Sequence, residues 1–209
     1  MALACHSYHE QYGALPPAYI ADEDGRPMHS WRVLILPFVG DRELYERYDF
    51  SEPWDGPNNR KLIVQMPSFY VFPGDDTAGA TATNYLAVVG PETVWTGDQS
   101  IRFEDIGDLS NTIMFIENRG SGIRWTEPRD LAFQTMEFSL EADSPNGISS
   151  KFDSPAIALV DGHVSQLDRL VPPATVRAML TSVGSQTQAQ YQNLPPAIML
   201  VACVGPMSK

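Results

Sequence analysis

In the opening MALACHSYHEQYG, Ala4, Tyr8 and Tyr12 recur at helical spacing, and the pattern stops at Gly13 followed by Pro16 and Pro17. That is the signature of a helix C-terminus. So short a helix is marginal alone, and it needs a sheet beneath it or a continuation upstream. Ser30 to Val39 (SWRVLILPFV) is an apolar run that reads as buried, and Asp41 is placed to N-cap a helix carrying Leu44, Tyr45 and Tyr48. A further short helix is predicted over Asn58 to Gln65. SFYVF (Ser68 to Phe72) and NYLAVV (Asn84 to Val89) then read as strands separated by the turn-rich PGDDTAGATA.

Thr112 to Ile116 and Ala156 to Val160 are further runs of strand length. Asp161 and Gly162 separate the second from HVSQL and predict a two-residue hairpin turn. Pro173 opens a predicted helix over Thr175 to Val183 with Val176, Met179 and Leu180 on one face, closed by Gly184. The polar SQTQAQYQN stretch reads as a connection, and Ile198 to Val204 as an apolar segment that must pack somewhere. A helix first and strands later predict an α+β fold with an antiparallel sheet and a short C-terminal helix. The chain divides into one head domain over residues 1–185 and a C-terminal tail over 186–209.

Composition narrows the function. At 209 residues and 43% hydrophobic content the chain suits one ordinary globular domain, and 14 basic against 26 acidic residues give a net charge of -12. Such a charge repels phosphate backbones and anionic membrane surfaces, so nucleic acid is not an expected partner. Cys5 and Cys203 lie at opposite ends, as one terminal staple or two separate thiols. The longest apolar run near the end, Ala197 to Val204, is too short to span a bilayer, and Met1 is followed by no basic, signal-like flank. Taken literally, the sequence given carries no export signal.

Candidate chemistry is sparse. His6, His9 and Glu10 share neighbouring helical positions, but their order is not that of a helical zinc motif. Asp22, Asp24 and Gly25 resemble the start of a calcium loop, yet the twelfth position holds Val33 where a bidentate Glu is needed, which makes the cluster a turn. Asp75 with Asp76, and Asp105 with Asp108 and Asn111, offer hard oxygen ligands or simply capped turns. No G-x-S-x-G elbow or phosphate-binding glycine loop occurs, and the Gly120 to Gly122 GSG lacks a strand-to-helix setting. The expectation is a protein that is not an enzyme. Of Trp31, Trp54, Trp95 and Trp125, the turn-flanked Trp54 is the one expected near the surface. Trp54 and Asp55, with Asn84 and Tyr85, are the candidate ligand-binding residues.

Several segments, in order, carry a resemblance: LACHSYHEQYGALPPAY, HSWRVLILPFV, LYERYDFSEPWDGPNNRKL, MPSFYVFPGDD, TNYLAVVG, DLSNTIMFIEN, and GISSKF with ALVDGHVSQL. Covering residues 3 to about 183, they resemble a bacterial prepilin-like family of type IV pilin and pseudopilin type. That family is known as a domain of unknown function and is also filed as extracellular solute-binding protein family 10. The resemblance implies a basic leader, a cleavage and methylation site, and an apolar helix running into the position of Leu3, an anchor that the given sequence lacks. It implies a pilin-like head in which the helix end lies across an antiparallel sheet, placed periplasmically or extracellularly, with other pilin-like subunits or envelope secretion machinery as partners. The membrane is reached only through the missing helix.

The resemblance also implies calcium as the one candidate cofactor, at acidic loops whose counterparts are Asp105, Asp108 and Asp161. The alternative it implies is an extracellular module binding a solute or glycan. The chain departs from the family where members carry a cysteine and this one has Phe72-Pro73-Gly74-Asp75, where they carry His-Pro-Gly-Gly and this one has Lys151-Phe152-Asp153-Ser154, and at Leu109 in place of a glycine.

Overall fold

The computed structural model describes residues 1–74, 80–141 and 143–181. Helix α1 (Ala2–Tyr12) ends where the sequence places its end: Gly13 takes a left-handed φ of 79° and donates its N–H to His9 O at 2.8 Å. Its inner face buries Ala2, Ala4 and Cys5, whereas Leu3 is 70% exposed. Strands β1 (Tyr19–Ala21) and β2 (Pro27–Ser30) form an antiparallel hairpin around the Asp22 turn, where Asp22 Oδ1 accepts from the N–H groups of Asp24 and Arg26, each at 2.9 Å.

The apolar 30–39 run is helical. Ser30 Oγ accepts from Arg32 N at 3.2 Å and opens α2 (Trp31–Leu34), which continues into a 3-10 turn at Leu36–Phe38. Helix α3 (Arg42–Arg47) begins after Asp41 as expected, although the Asp41 side chain caps nothing and only its backbone oxygen accepts, from Tyr45 N. Asn58 to Gln65 is two 3-10 turns, Asn59–Lys61 and Ile63–Gln65.

Two expected strands are corrected. Ser68–Tyr70 is a 3-10 turn, because the Tyr70 hydroxyl reaches inward to donate to Arg32 O at 2.7 Å. NYLAVV is split into β3 (Tyr85–Leu86) and β4 (Val88–Val89), which belong to different sheets. The break falls at Ala87, whose N–H is taken by the Asp130 carboxylate at 2.7 Å instead of by a neighbouring strand.

The remaining strands are β5 (Ile113–Glu117), β6 (Leu131–Ala132), β7 (Ala156–Leu159) and β8 (Val164–Gln166). The principal sheet is antiparallel in the order β3-β5-β7-β8, with β4 and β6 pairing in parallel beside it. In β5, Ile113 pairs with Leu159 and Phe115 with Ala158, so Met114 is an extra residue. This bulge breaks the alternation and points Met114 and Phe115 into the same core.

The hairpin at Asp161–Gly162 is present, but its turn is longer than two residues. Leu159 N bonds His163 O at 2.8 Å, and Gly162, at φ 94°, donates to Leu159 O. Val160 leaves the ladder because its N–H is held by Thr112 O at 2.9 Å. Helix α4 spans Pro173–Met179, shorter than expected, with Val176 and then Leu180 buried. Gly184, Cys203 and the 186–209 tail lie outside the described residues, as do Asp75 and Asp76.

Two cores flank the principal sheet. One joins α1, α2, Tyr70, Trp95, Trp125 and the Met114–Phe115 bulge. The other joins Leu86, Ile113, Ile116, Ile157, Leu159 and Leu167 with Val176 and Leu180 at α4. The architecture is mixed α+β with antiparallel sheets and few helices.

Candidate functional site

The strongest polar feature is an ion pair between Arg32 and Asp130, whose side chains are 0% and 1% exposed. Arg32 is presented by the first turn of α2, next to Trp31 whose ring lies 4.6 Å beneath the guanidinium. It meets both Asp130 oxygens and also donates to Ser30 Oγ at 3.1 Å and to Tyr85 O at 3.2 Å. Asp130 further accepts from Trp31 Nε1 at 3.1 Å and from Ala87 N at 2.7 Å. Burial pushes the Asp130 carboxyl above the usual carboxylate range, against the pull of Arg32 and the two N–H donors. Four donors on two oxygens satisfy the carboxylate as an ion.

Asp130 is also the floor of an open cleft of about 430 Å³, between the Tyr19 and Gly97 segments on one side and residues 128–134 on the other. Tyr19, Thr96, Arg129 and Gln134 supply its polar walls, and Pro91 and Pro128 its apolar ones. Gly97 sits at φ 98° so close to Tyr19 that an added Cβ would lie 3.2 Å from the phenol oxygen. Arg129 is turned toward Glu127 by a 2.5 Å contact. Chemically the cleft offers a phenol face, hydroxyl and amide groups and one cation, a set suited to hydrogen-bonding a small polar solute and lacking a nucleophile–base pair.

None of the residues singled out in the sequence lines this cleft. Trp54 is half-buried in its turn, its N–H on Met28 O at 3.1 Å, with Asp55 exposed beside it and accepting from Arg60 through its carbonyl. Asn84 is a clasp: its Oδ1 accepts from Phe72 N at 3.0 Å and its Nδ2 donates to Asn118 O at 3.2 Å. Tyr85 hydrogen-bonds Glu117, a carboxyl buried among Tyr85, Ser150 and Ala156 N. Burial raises the Glu117 carboxyl and pushes the Tyr85 phenol up to about 12.

The acidic loops are engaged locally. Asp105 pairs with Arg102 at 3.2 Å, Asp108 accepts from Ser110 N, Asn111 N and Asn111 Nδ2, and Asp161 pairs with His163 at 3.0 Å. Asp161 N donates to Leu109 O at 3.1 Å, which brings the Asp108 and Asp161 loops side by side. Among the described residues no three His, Cys, Asp or Glu side chains converge to hold an ion. His6 and His9 pack on Phe103, at ring separations of 4.8 and 4.3 Å, and His6 Nε2 lies 2.7 Å from Val160 O.

The cleft residues carry no local motif. Tyr19, Thr96, Asp130 and Gln134 come from separate segments, and the 128–134 segment is drawn to them by the buried Arg32–Asp130 pair together with the parallel pairing of β6 with β4. No curated protein and no solved structure gives a match to the chain. Residues 1–84, however, match the model of a family described as a protein of unknown function (DUF1559) and labelled as a bacterial solute-binding family. The N-terminal segment that builds α1, the β1–β2 hairpin, α2 and α3 is therefore similar to that family.

Proposed function

We propose that this protein is the head of a pilin-like, pseudopilin-type subunit of the bacterial cell envelope, acting in filament assembly or secretion and not as an enzyme. The observation that carries the reading is α1: its Ala2, Ala4 and Cys5 face is buried in the core shared with Met114 and Phe115 of β5, while Leu3 on its other face remains exposed. A helix held on an antiparallel sheet by one face, with an apolar residue left outward, suits lateral contact with other subunits. The match of residues 1–84 is to a family of unknown function, and the pilin-like assignment comes from the resemblance of the sequence segments. The deciding experiment is the N-terminal sequence and intact mass of the native protein from its own cells. An N-methylated residue heading an apolar segment upstream of Leu3 is the expected result. A mature start at Met1 overturns the reading.

Calcium at the adjoining Asp108 and Asp161 loops, with Asp105 nearby in sequence, belongs to this proposal. A Tm that rises with added calcium supports it, and an unmoved Tm removes it.

The cleft favours a second reading, a module that binds a solute or glycan. Its phenol, amide and hydroxyl walls suit a neutral sugar. Binding on a glycan array that is lost in Tyr19→Ala supports it, whereas loss in Trp54→Ala alone moves the site to the Trp54–Asp55 turn. Silence across a broad array removes it.

A further inference from the structure

Of the polar side chains that line the cleft above Asp130, three are already engaged. Asp130 accepts from Arg32, from Trp31 Nε1 and from Ala87 N, Arg129 pairs with Glu127 at 2.5 Å, and the Thr96 hydroxyl donates to Gln99 O at 3.0 Å. The other two are the Tyr19 hydroxyl and the Gln134 amide, and neither has a hydrogen-bond partner among the described residues.

These two groups stand on opposite walls, and a glycine keeps each uncovered. On one wall Gly97 leaves bare backbone beside the Tyr19 phenol, where an added Cβ would lie 3.2 Å from the hydroxyl oxygen. On the other, a Cβ on Gly90 would lie 3.5 Å from Gln134 Nε2 and 2.8 Å from Phe133 Cβ, so a side chain is excluded and the amide lies against bare backbone next to Pro91.

A phenol and a primary amide can each donate and accept. A trans secondary amide points its N–H and its C=O in opposite directions, so placed between the walls it bonds one group on each side. A hydroxyl in the same place is shorter, and it leaves one wall unmatched. Pro91 and Pro128 supply the apolar surface that an acetyl methyl needs. Both charged side chains of the cleft are paired, so a neutral ligand meets no unbalanced charge.

We infer, on the reading of the cleft as a glycan site, that the sugar it takes is N-acetylated and that its acetamido group bridges Tyr19 and Gln134. A site built around an amide rejects the analogue that lacks one, because its own polar groups are then left unpaired.

The test is calorimetric titration of the full chain with chitotetraose and cellotetraose. These tetramers of N-acetylglucosamine and of glucose share a linkage and differ only in carrying an acetamido group or a hydroxyl. Chitotetraose is expected to bind about 10-fold or more tightly than cellotetraose. Gln134→Leu, at an exposed position, and Tyr19→Phe, which keeps the ring, are each expected to erase most of that difference with the Tm unchanged. Equal affinity for the two tetramers overturns the inference and leaves the glycan site standing. Binding of neither overturns it too, and the broad array then decides the glycan reading by itself. A preference for chitotetraose that survives both substitutions also overturns it, by moving the acetamido group away from Tyr19 and Gln134.

Discussion

The two cores are built on different terms. On the α1 side, the large residues are fixed by direction as well as volume. Trp31 Nε1 donates to Asp130, Trp95 Nε1 to Met114 O at 2.7 Å, Trp125 Nε1 to Ile63 O at 2.9 Å, and the Tyr70 hydroxyl to Arg32 O at 2.7 Å. On the α4 side, Leu86, Ile113, Ile116, Ile157, Leu159, Leu167 and Val176 have no polar atom to aim, and packing alone holds them. The family match ends at residue 84, and every residue of the second core lies beyond it. The matched segment thus contributes to one side of the sheet only. A core tied by directional bonds keeps its identities, whereas one filled by volume accepts any set of aliphatic residues that fits.

This contrast breaks first at the ion pair. Asp130→Asn leaves the Arg32 guanidinium buried without its counter-charge, and it should cost about 3–5 kcal/mol in urea unfolding. A cost below about 1 kcal/mol would show that the α1 side is held by volume as well. Next, Trp125→Phe strands the Ile63 carbonyl, with an expected cost of about 2–3 kcal/mol, while the volume-conserving Leu159→Met on the other side should cost under about 1.5 kcal/mol. Equal costs would erase the distinction.

The smallest effects are in pH dependence. Burial holds His29, hydrogen-bonded to the Tyr48 hydroxyl at 3.0 Å, below its ordinary pKa of 6.5. The unfolded chain therefore binds the extra proton first, and stability is lost as pH falls from 6.5 through the lowered folded value. His29→Gln should flatten that limb of a stability-against-pH curve. Glu117 has the opposite sign. Its carboxyl is raised above 4.5, so the folded state holds the proton longer and stability falls as pH rises past 4.5. Glu117→Gln should be more stable than the parent at neutral pH and indistinguishable from it well below 4.5.

What could be read from the sequence was local. The α1 stop at Gly13, the helix after Asp41, the strands β5 and β7 and the Asp161–Gly162 hairpin all follow from residues within one turn of each other. What could not be read depended on distant partners. NYLAVV has the pattern of one strand, and nothing near Ala87 announces that a carboxylate 43 positions later will take its N–H. SFYVF has strand propensity throughout, yet Tyr70 is turned by a carbonyl 38 positions earlier. The cleft is illegible for the same reason: Tyr19 and Gln134 line it through distant partners, Arg32 with Asp130 across 98 positions and β4 with β6. Asn84 and Tyr85, expected at a ligand site, join the 70–72 and 117–118 segments by hydrogen bonds to partners distant in sequence.

The separation of 98 positions between Arg32 and Asp130 also sets a timetable. At ribosomal rates of about 5–20 residues per second, the guanidinium emerges roughly 5–20 s before the carboxylate that neutralises it. Through that interval Trp31, Tyr70 and the inner face of α1 have neither their cover nor their counter-charge, and the non-local closure that completes them is slow to form. The nascent chain is then exposed to association with its neighbours at the stage when its aromatic surface is widest. Variants that slow synthesis between residues 32 and 130 would lower soluble yield without changing the melting of the finished protein.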